Sequence, residues 1–385
     1  MRIAANSLML ALSAFALCPM ASAQINVDAR GLTPDLRIPI LAPITGPLSL
    51  EGNSQKNGAL LALTVGGQGL KLSHEILDTA MAPETGIQAF EKAMRAKNVF
   101  AISAPIFGNS MLAIMPLAKD ARVPLLTISG TAQITEAGNP YVFRFFPSDE
   151  VLKAAQARYV VEDLKKKKIA LVWQNSAYGQ SGRAHLTERF KTLGAEIVFE
   201  DSLPLNAREM LPTLTKVVQS GADALVLQLH SGPTALIVKQ AAAMALNMPI
   251  VAGSAMHQPS TAALLEPREL KGVCAETNAA PIADTAESMR KFVAAYRKSF
   301  NEAPDGFAAA QFDAVGMALF LARKNMVTRE ALRDGLATSA YQGIAMNYKS
   351  DGKGNMAHDA IIICYDGTGR VPTIAKRYAD PAGTK

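Results

Sequence analysis

At 385 residues the chain is long enough for about two domains. Apolar residues at 49% and charged residues at 19% exclude a disordered chain and leave ample material for a large core. The net charge of +6 is spread along the sequence, and aromatics are only 6%, which argues against the concentrated basic stripe of a nucleic-acid binder.

In chain order, the first element is an address. Residues 1–23 combine Arg2, the apolar stretch from Leu8 to Leu17, and Ala21-Ser22-Ala23. That is the three-part pattern of a secretory signal peptide cut after Ala23. A membrane anchor would need about 18 or more unbroken apolar residues, whereas this stretch is shorter and meets Pro19. Lipid attachment at Cys18 is disfavoured by the bulky Leu17 before it. The mature protein is therefore expected to be soluble outside the cytoplasm, with a small positive charge that favours anions. Cys18 leaves with the leader. Cys274 and Cys364 remain, an even pair that in an oxidising compartment either forms a disulfide or sits as two separate buried thiols.

From residue 36 short β-rich runs alternate with helical stretches. Arg37–Leu41, Lys71–Leu77, Val99–Ser103 and Val123–Ile128 read as strands, with helices near 53–65, 84–97 and 110–120 between them. Within 84–97, Ile87, Phe90, Ala93 and Met94 share one face, as an amphipathic helix requires. A second series follows Pro147: helix 149–164, strand 168–173, helix 180–193, strand 195–201, helix 206–220, strand 223–229, helix 233–245 and strand 248–252. The run Lys165–Lys168 is expected to cap the last turn of its helix. Runs such as IALVW and ALVLQL are near-continuously apolar, as strands buried on both faces of a parallel sheet must be. Helices near 285–300, 308–323 and 328–337 and strands near 359–365 and 371–376 are too few for a third domain. The expected fold is α/β, two doubly wound parallel-sheet lobes joined by a multi-strand hinge. Lobe 1 takes residues 36–148 and 278–345, and lobe 2 takes 149–277 and 346–378.

Nothing in the sequence supports an enzyme. The five histidines, His74, His185, His230, His257 and His358, have neither HExxH spacing nor a neighbouring metal-type cluster. Gly66-Gly67-Gln68-Gly69 precedes a strand instead of following one, so it reads as a turn and not a phosphate cradle. No metal or cofactor is implied. What remains is a set of polar loops at the carboxyl ends of strands, where open α/β sheets bind ligands. Gly108, Asn109 and Ser110 follow one strand, and Ser129, Gly130 and Thr131 follow the next. Such loops offer backbone N–H groups and hydroxyls that suit a carboxylate; alternatively, Asn109 or Ser110 simply caps its helix.

These features together resemble the branched-chain-amino-acid-binding type of periplasmic solute-binding proteins, which serve ABC transporters. The resemblance runs from about residue 36 to 378. It rests on the order of Ala42-Pro43-Ile44-Thr45-Gly46-Pro47, Gly52 and Gly58, APIFGNS, Ala113 with Pro116, and VPLLTISGT. Tyr141-Val142-Phe143-Arg144, the stretch Trp173–Gly179 and Phe312-Asp313-Ala314 complete it. It implies a monomeric clamshell that closes on one small solute and presents it to a membrane permease. By the resemblance, Gly108, Asn109, Ser110, Ser129, Gly130 and Thr131 would hold a ligand carboxylate, Tyr178 would close from the second lobe, and His230 would be a polar wall residue.

The departures bear on the ligand. Amino-acid binders of this family place a second-lobe carboxylate against the ligand's ammonium, and here Ala255 stands nearest that place. Glu51 and Asp313 are the acids that would substitute, although Glu51 also reads as an exposed helix-start residue. The expected function is capture of a small carboxylate-bearing ligand for an ABC importer. The alternative is a sensing module on the same clamshell that signals to a partner protein.

Overall fold

Residues 35–384 are described by the computed structural model; the leader, its cleavage site and Cys18 lie outside them. Five short strands, Ile40–Ala42, Ile76–Asp78, Ile102–Ser103, Leu125–Thr127 and Val142–Arg144, form one parallel sheet. Their spatial order is second, first, third, fourth, fifth. Lys168–Gln174, Glu196–Leu203, Ala224–Gln228, Ile250–Ala252 and Val273–Thr277 repeat that parallel order in a second sheet. The second sheet is extended by Ala360–Cys364, antiparallel to Val273–Thr277, and then by Thr373–Tyr378. Both sheets are thus doubly wound, and in each the strand order reverses between the first and third strands. That reversal opens a crevice at the carboxyl ends of the strands.

The chain crosses between lobes three times. Phe145–Ser148 carries it out of the first sheet, and Asn278–Ala280 brings it back after Val273–Thr277. Helices Glu287–Phe300, Gly306–Arg323 and Arg329–Thr338 then join the first lobe before the chain returns to Ala360–Cys364. Close approach fixes the placing of Gly306–Arg323. A Cβ on Gly58, in helix Ser49–Gly66, would lie 2.3 Å from the Ala308 carbonyl oxygen, so only glycine lets the two backbones touch.

Several elements differ from the sequence reading. The strand expected over 99–103 is paired as a strand only at Ile102–Ser103, and the following helix starts at Gly108. Helix Asp149–Arg158 ends in a π-helical turn, Tyr159–Asp163, closed by Lys165 at φ 57°. The lysine run therefore covers a turn, and Lys168 already begins a strand. A hairpin of Ala340–Gln342 with Asn347–Lys349 was not legible, because each strand carries a single tyrosine in place of an apolar run.

Asp313 does not reach the crevice. It is fully buried on helix Gly306–Arg323, where its carboxylate accepts from the Ile344 and Ala345 N–H groups and the Tyr348 hydroxyl. It pins the hairpin to the helix and is unavailable to a ligand. Burial lifts its carboxyl from 3.8 to about 7 in spite of those donors. A raised carboxyl binds its proton more tightly in the folded state, so its contribution to stability falls as pH rises between those two values. The expected slope is up to about 1.4 kcal/mol per pH unit. Urea unfolding across that range should show the slope reduced in Asp313→Asn; parallel profiles for the two proteins would exclude the effect.

Candidate functional site

The crevices of the two sheets face each other, and the side chains that line the space between them come from strand ends. In the first lobe Leu48 and Glu51 follow the first strand, Ile106 and Phe107 the third, Ile128 and Gly130 the fourth, and Phe146 the fifth. In the second lobe Tyr178, His230, and Ser254 with Ala255 follow the first, third and fourth strands; Phe307 reaches in from the first-lobe helix Gly306–Arg323. They enclose about 420 Å³, the open mouth included. Most of the lining is apolar, and it contains neither Lys nor Arg. Phe146 and Phe307 pack with ring centroids 4.9 Å apart, and the Tyr178 ring lies 5.1 Å from that of His230.

Polar contacts cross the cleft at helix ends. Glu51 Oε1 accepts from the Ser231 N–H at 2.9 Å and from its hydroxyl at 2.7 Å. Ser231 opens helix Ser231–Ala243, which has no side-chain cap of its own, so a first-lobe carboxylate caps a second-lobe helix. Asn109 also reaches a second-lobe helix start, that of Ala177–Thr192, where its Oδ1 accepts from the Ala177 N–H at 3.1 Å beside the helix's own Ser176 cap. In the other direction the Ser181 hydroxyl accepts from the Ala132 N–H at 3.0 Å. These contacts exist only while the lobes are together, so the structure is a closed clamshell.

Behind the cleft, Arg144 organises the loop of residues 129–131. Its Nη1 donates to the carbonyls of Ser129, Gly130 and Thr131 at 3.4, 3.2 and 2.6 Å. Burial lowers its guanidinium to about 10, so it stays charged at neutral pH. A second buried charge group lies under Tyr178. Lys153 pairs with Glu276, both fully buried, and Lys153 Nζ sits 5.7 Å from the Tyr178 ring centroid.

Buried polar atoms are left without partners at two places. At one, next in the chain to the cleft-lining Gly130, Thr131 Oγ1 is buried and unbonded, beside the start of helix Gly108–Asp120, whose first turn has no side-chain cap. At the other, Glu51 Oε2 and His230 Nε2 are buried and unbonded. Burial raises the Glu51 carboxyl, and it lowers the His230 imidazole to about 4, leaving that ring neutral at pH 7.

Of the residues singled out from the sequence, Glu51, Gly130, Tyr178 and His230 line the cleft. Glu51 is only 3% exposed, which corrects its reading as an exposed helix-start residue. Asn109 is spent on the opposite lobe, and neither it nor Ser110 caps its own helix. Gly108 lies against Thr131, since a Cβ on it would stand 2.3 Å from Thr131 Oγ1. Ser129 is buried and donates its N–H to Thr127 Oγ1. Ser110 turns away, with its hydroxyl 3.5 Å from the Ala82 carbonyl. Consecutive residues in a helical turn point about 100° apart, so residues 108–110 cannot all face one cleft. Cys274 and Cys364 are joined by a disulfide between adjacent strands. The reading from sequence missed Leu48, Ile106, Phe146, Phe307 and Ser231; each is an ordinary core or helix-start residue with no local signal.

A family model for periplasmic binding proteins matches residues 35–369. The chain is 25% identical over 232 residues to the Leu/Ile/Val-binding protein BraC3 of Rhizobium johnstonii, an alignment covering 58% of this chain and 62% of that one. It is 23% identical over 235 residues to a leucine-, isoleucine-, valine-, threonine- and alanine-binding protein of Pseudomonas aeruginosa, covering 60% and 61%. The chain thus spans about three fifths of the length of these curated relatives. Among solved structures, LivJ of Streptococcus pneumoniae in complex with isoleucine superposes with TM-score 0.81 at 22% identity, covering 89% and 99% of the two chains. A solute-binding protein of R. palustris in complex with benzoate superposes with TM-score 0.81 at 17% identity, covering 89% and 96%. At such identities the likeness is one of fold.

Proposed function

The chain belongs to the periplasmic binding protein family, and from that premise we propose that it captures a small organic acid between its lobes and delivers it to an ABC importer. On this reading the protein works in the periplasm, its permease partner recognises the closed form, and the ligand carries a carboxylate on an apolar or aromatic body but no α-ammonium. The observation that carries the ligand assignment is the composition of the cleft wall. An α-ammonium would meet only Tyr178, His230, Ser254 and Ala255 on the second lobe, and an unpaired buried charge costs several kcal/mol. Glu51, the one acid in the lining, already spends Oε1 on Ser231. A carboxylate suits the loop beside Gly130, where the helix start at Gly108 and Thr131 Oγ1 lack partners. The apolar belt of Leu48, Ile106, Phe107, Phe146 and Phe307 supports an apolar body. Benzoate in one structural neighbour and isoleucine in another bracket the candidates.

Calorimetry with leucine, its keto acid 4-methyl-2-oxopentanoate, and benzoate tests the proposal. At least one of the two acids should bind and leucine should not. Thr131→Ala should weaken acid binding by about ten- to a hundredfold, because a hydrogen bond to a charged group contributes roughly 1.5–3 kcal/mol. Tight leucine binding that collapses in Glu51→Gln would overturn the assignment and make Glu51 an ammonium partner.

A further inference from the structure

We propose that Glu51 and His230 form a polar subsite that selects acids carrying a hydroxyl at the end remote from the carboxylate. The inference rests on the reading of the cleft as an organic-acid site and adds a second recognition element to it. Both residues line the cleft, and each holds one buried atom with no partner, Glu51 Oε2 and His230 Nε2. They belong to one place, for His230 Nδ1 lies 4.0 Å from Glu51 Oε1. Their other contacts are spoken for. Glu51 Oε1 caps Ser231, while the imidazole is walled by Phe107, with ring centroids 6.1 Å apart, and by Tyr178.

Tyr178 lies against both the subsite and the loop of residues 129–131. Its ring lies 5.1 Å from the His230 ring, and its Cε2 would be 3.9 Å from a Cβ on Gly130. A ligand lying along Tyr178 with its carboxylate toward the loop of residues 129–131 therefore presents its far end to Glu51 and His230. A hydroxyl matches both atoms, since it donates one hydrogen bond and accepts another. It can donate to Glu51 Oε2 and accept from a protonated Nε2, or donate to Nε2 in the other tautomer. A methyl or bare ring edge there leaves two buried polar atoms unpaired, and a site built to bond a hydroxyl rejects the analogue that lacks it.

Calorimetry on the mature protein with two matched pairs, benzoate with 4-hydroxybenzoate and hexanoate with 6-hydroxyhexanoate, reads the subsite directly. In whichever pair binds, the hydroxylated acid should bind at least about tenfold more tightly. That preference should shrink to within about threefold in both Glu51→Met and His230→Phe, with circular dichroism showing that each variant is folded. Equal affinity within a pair, or a preference that survives both substitutions, overturns the subsite and leaves the organic-acid reading standing. Failure of all four acids to bind while isoleucine does bind overturns both.

Discussion

Lys153→Met is expected to destabilise the protein by about 3–5 kcal/mol at slightly alkaline pH, because it leaves a buried carboxylate without its counter-ion. Lys153 projects from helix Asp149–Arg158 and Glu276 from strand Val273–Thr277, and neither side chain is exposed. Glu276 Oε2 and the neighbouring Asp149 Oδ2 have no other partner to fall back on. Burial lifts the Glu276 carboxyl to about 7 even with Lys153 and its hydrogen bond pulling it down. Without the lysine it rises further. In the wild type, Glu276 holds an extra proton in the folded state only up to about pH 7, so its unfavourable slope stops there. In the variant the slope continues, and the deficit should widen above that pH by up to about 1.4 kcal/mol per unit. Replacing both partners, Lys153→Met with Glu276→Leu, should recover most of the loss, since a buried pair exchanged for apolar groups is often close to neutral. Urea unfolding of the wild type, the single variant and the double variant at two pH values measures all of this. A single-variant loss below about 1 kcal/mol would show that the pair is not desolvated as its burial implies. Because Lys153 sits beneath the Tyr178 ring, the same variant should also loosen the cleft wall.

Removing the disulfide is the second large effect. Cys274 and Cys364 lie in register on adjacent antiparallel strands, 90 residues apart in the chain, with the Tyr159 hydroxyl 3.3 Å from the Cys364 sulfur. The bond ties the strand that leaves the parallel part of the second sheet to the strand with which the chain returns. Closing so long a loop restricts the unfolded chain, and the paired change Cys274→Ser with Cys364→Ser should cost about 3–5 kcal/mol. Urea unfolding without reductant gives the difference, and thiol titration of the unfolded, unreduced wild type should find no free thiols in the mature chain. Two free thiols, or equal stability of the two proteins, would refute it.

How much of this was legible in advance depends on how local each feature is. Near-continuous apolar runs such as Ile169–Trp173 and Ala224–Leu229 announce strands buried on both faces, and they became central strands of the second sheet. Alternation of such runs with amphipathic helices announces a parallel sheet, and polar loops after strands announce where a ligand would sit. Gly130 was readable on that ground, and Tyr178 and His230 from the family resemblance; all three line the cleft. Short elements with mixed polarity, such as the hairpin at 340–349, left no such trace.

The sequence by itself determined most of the longer elements, their α/β order, the two-lobed architecture and the loops after strands among which the cleft lies. Only the tertiary structure decided what the polar groups in those loops do. Glu51 caps a helix that starts 180 residues later, Asn109 reaches the start of one 68 residues later, and Lys153 meets Glu276 across 123. Ser110 faces a neighbouring helix, and Asp313 serves a hairpin instead of a ligand. The physical reason is one of range. Hydrophobic periodicity records which face of an element is buried, a property of neighbours in sequence. A polar group's partner is whatever the folded chain brings within about 3 Å, and that depends on how two lobes close.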